Sequence, residues 1–208
     1  MTELFKHILH LDLEWIFQHY NTSIYFILFL IIFIETGLVA MPFLPGDSLL
    51  FTAGLFARSG FLNLYVLLLL LFIAAVLGDN INYWIGRTLG LRVFDIKIKG
   101  HYVVKRAYLQ KTEAFFKSYG PKAIIMARFV PFVRTFAPFA AGLGKMTYSR
   151  YVSFDVLGGI LWVGGLTCAG YVLGEVSWIR NHIDLVCLGI IALSVLPIIV
   201  KWLSRAKA

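Results

Sequence analysis

From Leu64 to Leu77 the sequence offers no charge, no amide and only one hydroxyl, on Tyr65, and the polar-poor stretch continues through Gly78. Ile24 to Ile34, Val156 to Leu173 and Leu185 to Val200 are similar. An α-helix needs about 20 mostly apolar residues to cross the hydrocarbon core of a bilayer. The runs are continuous and do not alternate, which excludes a transmembrane β-barrel. A soluble fold is excluded by supply of charge. Only 14% of the 208 residues are charged, against about a quarter in a soluble domain. Lipid must therefore be the solvent, and the length suits one compact domain.

The apolar pattern gives about four transmembrane helices, at 22–41, 62–86, 149–173 and 183–203. Two further segments, 42–60 and 121–145, are apolar enough to enter the bilayer but are cut by helix breakers. Pro42, Pro45 and Gly46 interrupt the first; Pro131, Pro138, Gly142 and Gly144 interrupt the second. Proline removes a backbone donor and clashes with the preceding turn. Broken backbone at membrane depth survives only where protein buries it or where it lines a watery cavity. Each segment therefore reads as a re-entrant helical hairpin. The expected fold is an all-α integral membrane protein, with the two hairpins oppositely oriented as in an inverted repeat. Gly158-Gly159 and Gly164-Gly165 are expected to let helices approach closely. Leu4, Ile8, Leu11 and Trp15 share one helical face. Residues 1–21 thus read as an interfacial amphipathic segment or as a lead-in to the first span, with the membrane domain at 22–208.

Charge orients the chain. Between Arg87 and Lys122 there are nine Lys/Arg and two acids, Asp95 and Glu113. In a membrane protein this marks a cytoplasmic loop, at about 87–120, and not a nucleic-acid surface. The second hairpin then enters from the cytoplasm and the first from the opposite side. Glu175 and Asp184 fall outside, and Lys201, Arg205 and Lys207 inside, which puts both termini in the cytoplasm. Cys168 and Cys187 lie in apolar runs and read as small buried hydrophobes. His7 and His10 lack further ligands, so neither metal nor cofactor is expected.

The chemistry lies in charges placed where lipid forbids them. Glu35 follows the run Ile24 to Ile34, and Asp47 stands in Phe43-Leu44-Pro45-Gly46-Asp47-Ser48. A carboxylate at such depth must be protonated, paired or hydrated; Asp47 reads alternatively as a helix cap. Arg128 and Arg134 flank Pro131 in an aromatic segment. Arginine stays charged and grips phosphate with a planar fork. The alternative is a structural pairing of these arginines with Glu35 and Asp47. Together the four residues would form a site for an anionic headgroup and a titrating proton. Asp79 and Asn82, near the end of their span, and Asp155 read as vestibule residues or as interfacial polar groups. Trp162, Tyr171 and Trp178 read as packing or interface aromatics.

Glu35-Thr36-Gly37-Leu38-Val39, the run Pro42 to Phe51, Gly78-Asp79 with Asn82-Tyr83, and Ala127-Arg128-Phe129-Val130-Pro131 through Arg134 to Phe139 resemble the DedA family. These bacterial inner-membrane proteins are also called SNARE-associated or VTT-domain proteins, and the likeness covers nearly the whole chain. The resemblance implies lipid translocation: recycling of undecaprenyl phosphate or movement of phosphatidylethanolamine, with links to the proton motive force. It maps the family's acidic and arginine pairs onto Glu35, Asp47, Arg128 and Arg134, with Glu35 and Asp47 as the proton-coupling pair. Asp155 departs from the amide expected in close relatives. The expected function is a flippase or scramblase for a phosphate-headgroup lipid, undecaprenyl phosphate foremost, with lipid and protons as partners and a homodimer left open. The rivals are a proton- or cation-coupled antiporter for a small solute, a phosphatidylethanolamine translocase, a lipid-phosphate enzyme and an assembly factor. An enzyme is not expected, because no histidine, metal or nucleophile constellation accompanies the arginines.

Overall fold

Helix α1 (Leu13–Gly37) carries the first apolar run in the computed structural model, which describes residues 13–38, 46–90, 118–130 and 133–177 and scattered positions beyond. The helix is continuous through residues 21 and 22. Residues 1–12 lie outside the described residues. Helix α2 (Gly46–Arg58) has Asp47 in its first turn, where a carboxylate suits the positive end of the helix dipole. Its far end closes in a Schellman motif. Phe61 N–H donates to the Phe56 carbonyl at 3.1 Å and Gly60 N–H to that of Ala57 at 3.3 Å. Gly60 supplies the left-handed φ of 86°, and the Phe56 and Phe61 rings meet edge to face. Helix α3 (Leu64–Leu89) starts at Asn63, whose Oδ1 accepts from the N–H groups of Tyr65 and Val66, an N-cap.

The described elements are helical, as expected, apart from a two-residue antiparallel ladder in the basic loop, Lys97–Ile98 with His101–Tyr102. A 3₁₀ turn (Gly120–Lys122) leads into α4 (Ala123–Ala127), followed by α5 (Val133–Leu143) and α6 (Tyr148–Gly159). A π-helical stretch (Ile160–Gly164) joins α6 to α7 (Gly165–Leu173). Two helices, Leu64–Leu89 and Tyr148–Leu173, are long and apolar enough to span a membrane; Thr22–Gly37 is a shorter apolar helix. The expected span 183–203 falls almost wholly outside the described residues.

The breaks fall differently from expectation at one proline. The chain turns at Arg128–Val130, through i→i−3 hydrogen bonds, but α5 runs straight through Pro138. A proline inside a membrane helix is tolerated where neighbours re-satisfy the disturbed backbone. The carbonyl that Pro138 leaves without its N–H is that of Arg134; one residue on, the Asn82 amide donates to the Thr135 carbonyl at 2.6 Å. Gly46 is the first residue of α2. Pro45 and Pro131 lie outside the described residues.

The chain forms two compact units: residues 1–29, 45–70 and 164–208, and residues 30–44 and 71–163. Inside the first, α2 packs on α7 through reciprocal glycines. A Cβ on Gly54 would strike the Thr167 carbonyl, and one on Gly170 the Phe51 carbonyl. Inside the second, α5 packs on α3 in the same manner, Gly142 against the Tyr83 carbonyl and Gly86 against that of Phe139. The sequence around these contacts repeats as well: Phe51-Thr-Ala-Gly54-Leu55 matches Phe139-Ala-Ala-Gly142-Leu143. The partner helices share Gly86-x-x-Leu89-Gly90 and Gly170-x-x-Leu173-Gly174. Small residues allow backbones to touch, which is how membrane helices gain packing without a hydrophobic drive. Gly158 and Gly159 are also close contacts, against Arg128 and Phe72. Gly164 and Gly165, expected to act likewise, have nothing within 4 Å, so they serve no close approach among the described residues.

Candidate functional site

The second unit holds a buried charge cluster contributed by five stretches of chain. Arg128 sits in the turn after α4, where its side chain leaves the helix end toward α3 and α6. Its Nη2 donates to Asp79 Oδ2 at 2.5 Å, to Asp155 Oδ1 at 2.7 Å and to the Asp155 carbonyl at 3.3 Å. Asp155, Gly158 and Trp162 lie along one side of α6 and its π-helical extension. The missing side chain at Gly158 makes room for the arginine: a Cβ there would stand 2.9 Å from Arg128 Nε. Asp79 is held from a second direction, because the Tyr151 hydroxyl donates to its carbonyl at 2.9 Å. Tyr151 in turn stacks on Tyr83 at 4.3 Å.

The second arginine sits in the first turn of α5. Arg134 Nη2 donates to Glu35 Oε1 on α1 at 2.7 Å. Both side chains are nearly enclosed, at 12% and 3% exposure. The Trp162 ring lies 4.4 Å from the Arg134 guanidinium and 5.9 Å from that of Arg128, within cation–π range of both. Asn82 ties the backbones together, donating to the Thr36 and Thr135 carbonyls. Gly78 lets Thr36 approach α3: a Cβ there would collide with the Thr36 hydroxyl. Thr36, Asp79, Arg128, Arg134, Thr135 and Trp162 line a cavity of about 10 Å³ open to a water's centre, the size of a single water site.

The structure thus joins Glu35 to Arg134, and Arg128 to Asp79 and Asp155. Asp47 belongs to the first unit, at the start of α2. Asp79, Asn82 and Asp155 are buried members of the cluster, at 4%, 0% and 0% exposure, and not interfacial groups. Trp162 and Tyr151 went unrecognised in the sequence. Trp162 resembled any belt aromatic, and nothing local distinguishes it. Asp155 carried a usable signal: an acid in a span, with a buried arginine lacking an assigned partner.

Residues 44–172 match the VTT domain, a stretch holding every cluster residue except Glu35 and Thr36. The chain is 44% identical to Protein DedA of Escherichia coli strain K12 over 209 residues, covering 99% of this chain and 94% of that protein. The chain belongs to the DedA family. Its DedA-family relatives include an uncharacterized membrane protein of Mycobacterium leprae, 48% identical over 83% of this chain and 77% of that one. The inner membrane protein YqjA of Escherichia coli strain K12 is 36% identical over 77% of this chain and 72% of its own length. No solved structure matches this DedA-family chain. As a DedA-family membrane protein it buries three carboxylates and two guanidiniums in one unit. Chemically, such a set can exchange internal ion pairs for an external anion.

Proposed function

We propose that this protein is an inner-membrane carrier that moves a phosphate-headgroup lipid across the bilayer, with undecaprenyl phosphate as the preferred cargo. The observation that carries the reading is that two permanent cations, Arg128 and Arg134, line one buried cavity capped by Trp162. Cations are rarely tolerated at such depth without function, and guanidinium forks suit phosphate oxygens. The cavity admits one water and no headgroup, so the described state is closed. A lipid phosphate enters by competing with Glu35 for Arg134 and with Asp79 and Asp155 for Arg128. The tail stays in lipid while the headgroup crosses. The reading is of a carrier and not of an enzyme.

The repeated glycine crossings of α2 on α7 and α5 on α3 support an inverted repeat of two re-entrant hairpins. With the basic loop in the cytoplasm, both termini are cytoplasmic. Asp47 remains the acid of the first hairpin in this scheme, and a homodimer remains an open assembly.

The test is reconstitution of the pure full chain in liposomes, comparing transbilayer movement of fluorescent polyprenyl phosphate and phosphatidylethanolamine. Faster movement of the polyprenyl phosphate is expected. Movement of phosphatidylethanolamine alone reassigns the cargo, and movement of neither lipid overturns the reading.

A further inference from the structure

Arg128 pairs with two carboxylates through one nitrogen. Its Nη2 reaches Asp79 Oδ2 and Asp155 Oδ1 at 2.5 and 2.7 Å, while its Nε, also buried, has no hydrogen-bond partner among the described residues. Asp155 Oδ2 is likewise buried and without a partner there. Other charged or titratable groups surround the pair: Tyr151 on α6, whose hydroxyl is committed to the Asp79 carbonyl, Arg134 on α5, and Glu35 on α1, already joined to Arg134. The formal count is three carboxylates against two guanidiniums, one negative charge in excess. The excess lies on the Asp79–Asp155 side, since Glu35 and Arg134 balance each other.

We infer that Asp79 and Asp155 form a monovalent-cation site, which fills when Arg128 turns from them to a lipid phosphate. The inference rests on Arg128 binding that phosphate, as proposed above. Once Arg128 serves an external anion, two carboxylates with side-chain exposures of 5% and 1% face each other without a counter-ion. Buried charges are held only when paired or bound to an ion. A proton or a sodium ion restores the balance; both are small enough for a site that adjoins a one-water cavity, and carboxylate, hydroxyl and carbonyl oxygens suit either. The coupling is reciprocal: cation binding frees Arg128 for phosphate, and phosphate capture by Arg128 raises affinity for the cation. An anionic headgroup then crosses with a compensating positive charge. This places the coupling ion on Asp79 and Asp155, in contrast to the Glu35 and Asp47 pair expected from sequence.

The test measures cation uptake on lipid binding by the full chain in detergent. Dioleoyl phosphatidic acid micelles are added, with lipid binding followed separately by co-purification. Proton uptake is read with an indicator dye in sodium-free, weakly buffered solution, and sodium uptake with radioactive sodium at fixed pH. About one cation taken up per lipid phosphate bound is expected from the charge count; the arm that responds names the ion. The double variant Asp79→Asn with Asp155→Asn, which removes both charges and keeps the shapes, is expected to bind phosphatidic acid with at least about tenfold less cation uptake. Either single variant leaves one carboxylate uncovered when Arg128 turns and is expected to keep an uptake of about one cation per phosphate bound. Lipid binding without cation uptake in the parent protein overturns the cation site and leaves the phosphate reading standing. Undiminished uptake by the double variant also overturns it. Absence of phosphatidic acid binding removes both, and so separates the two failures.

Discussion

Arg128 and Arg134 look alike in the sequence, yet they have different work. Arg128 is the counter-ion of two aspartates and is 93% enclosed, at 7% exposure. Arg134 pairs with the Glu35 carboxylate and lies against an indole face. Removing one partner of a buried pair costs about 3–5 kcal/mol, because the other charge stays buried. Arg128→Gln is therefore expected to lower stability by about that amount. Adding Asp155→Asn should return part of it, and a double-mutant cycle on thermal stability in detergent reads the coupling. Strict additivity of the two changes would mean that the 2.7 Å contact carries no coupling energy. Arg134→Lys keeps the charge but loses the fork, so the protein should stay folded while polyprenyl phosphate movement drops. Unchanged movement would take Arg134 out of the phosphate site.

Two helix crossings are joined by glycines. The two crossings, α2 on α7 and α5 on α3, each use one glycine per helix against the facing carbonyl. Adding a methyl to such a contact forces backbone shifts, typically at about 1–3 kcal/mol. Gly142→Ala and Gly54→Ala should each destabilise the protein by that order. Gly165→Ala, which meets nothing within 4 Å, should be neutral or slightly stabilising, since alanine is the better helix former. Thermal unfolding of the three variants side by side checks this, and equal effects would refute the crossing geometry. The turn at Arg128–Val130 and the continuity of α5 through Pro138 belong to this scale too. Sequence marks a proline as a breaker; the structure keeps α5 helical through this one.

For the whole molecule, orientation rests on the basic loop. Single cysteines near residue 105 and at either terminus, in a background lacking Cys168 and Cys187, should resist an impermeant thiol reagent added outside intact cells. Rapid labelling of the loop from outside would reverse the topology.

What the sequence determined by itself is whatever acts locally along the chain. Continuous apolar runs demand helices in lipid, since a bilayer offers backbone groups no other partner. The spans at α3 and at α6 through α7 were therefore legible almost to their ends, and Glu35, Arg128 and Arg134 stood out as charges where hydropathy forbids them. Only the tertiary structure decided which charges meet. Arg128 lies 49 residues from Asp79 and 27 from Asp155, and nothing in those intervals encodes a distance. Gly158 leaves room on α6 for the one guanidinium that bridges α3 and α6, while Gly78 and the Gly86–Gly142 crossing set α1 and α5 against α3. Hydropathy is a property of each segment, whereas ion pairing is a property of how segments cross.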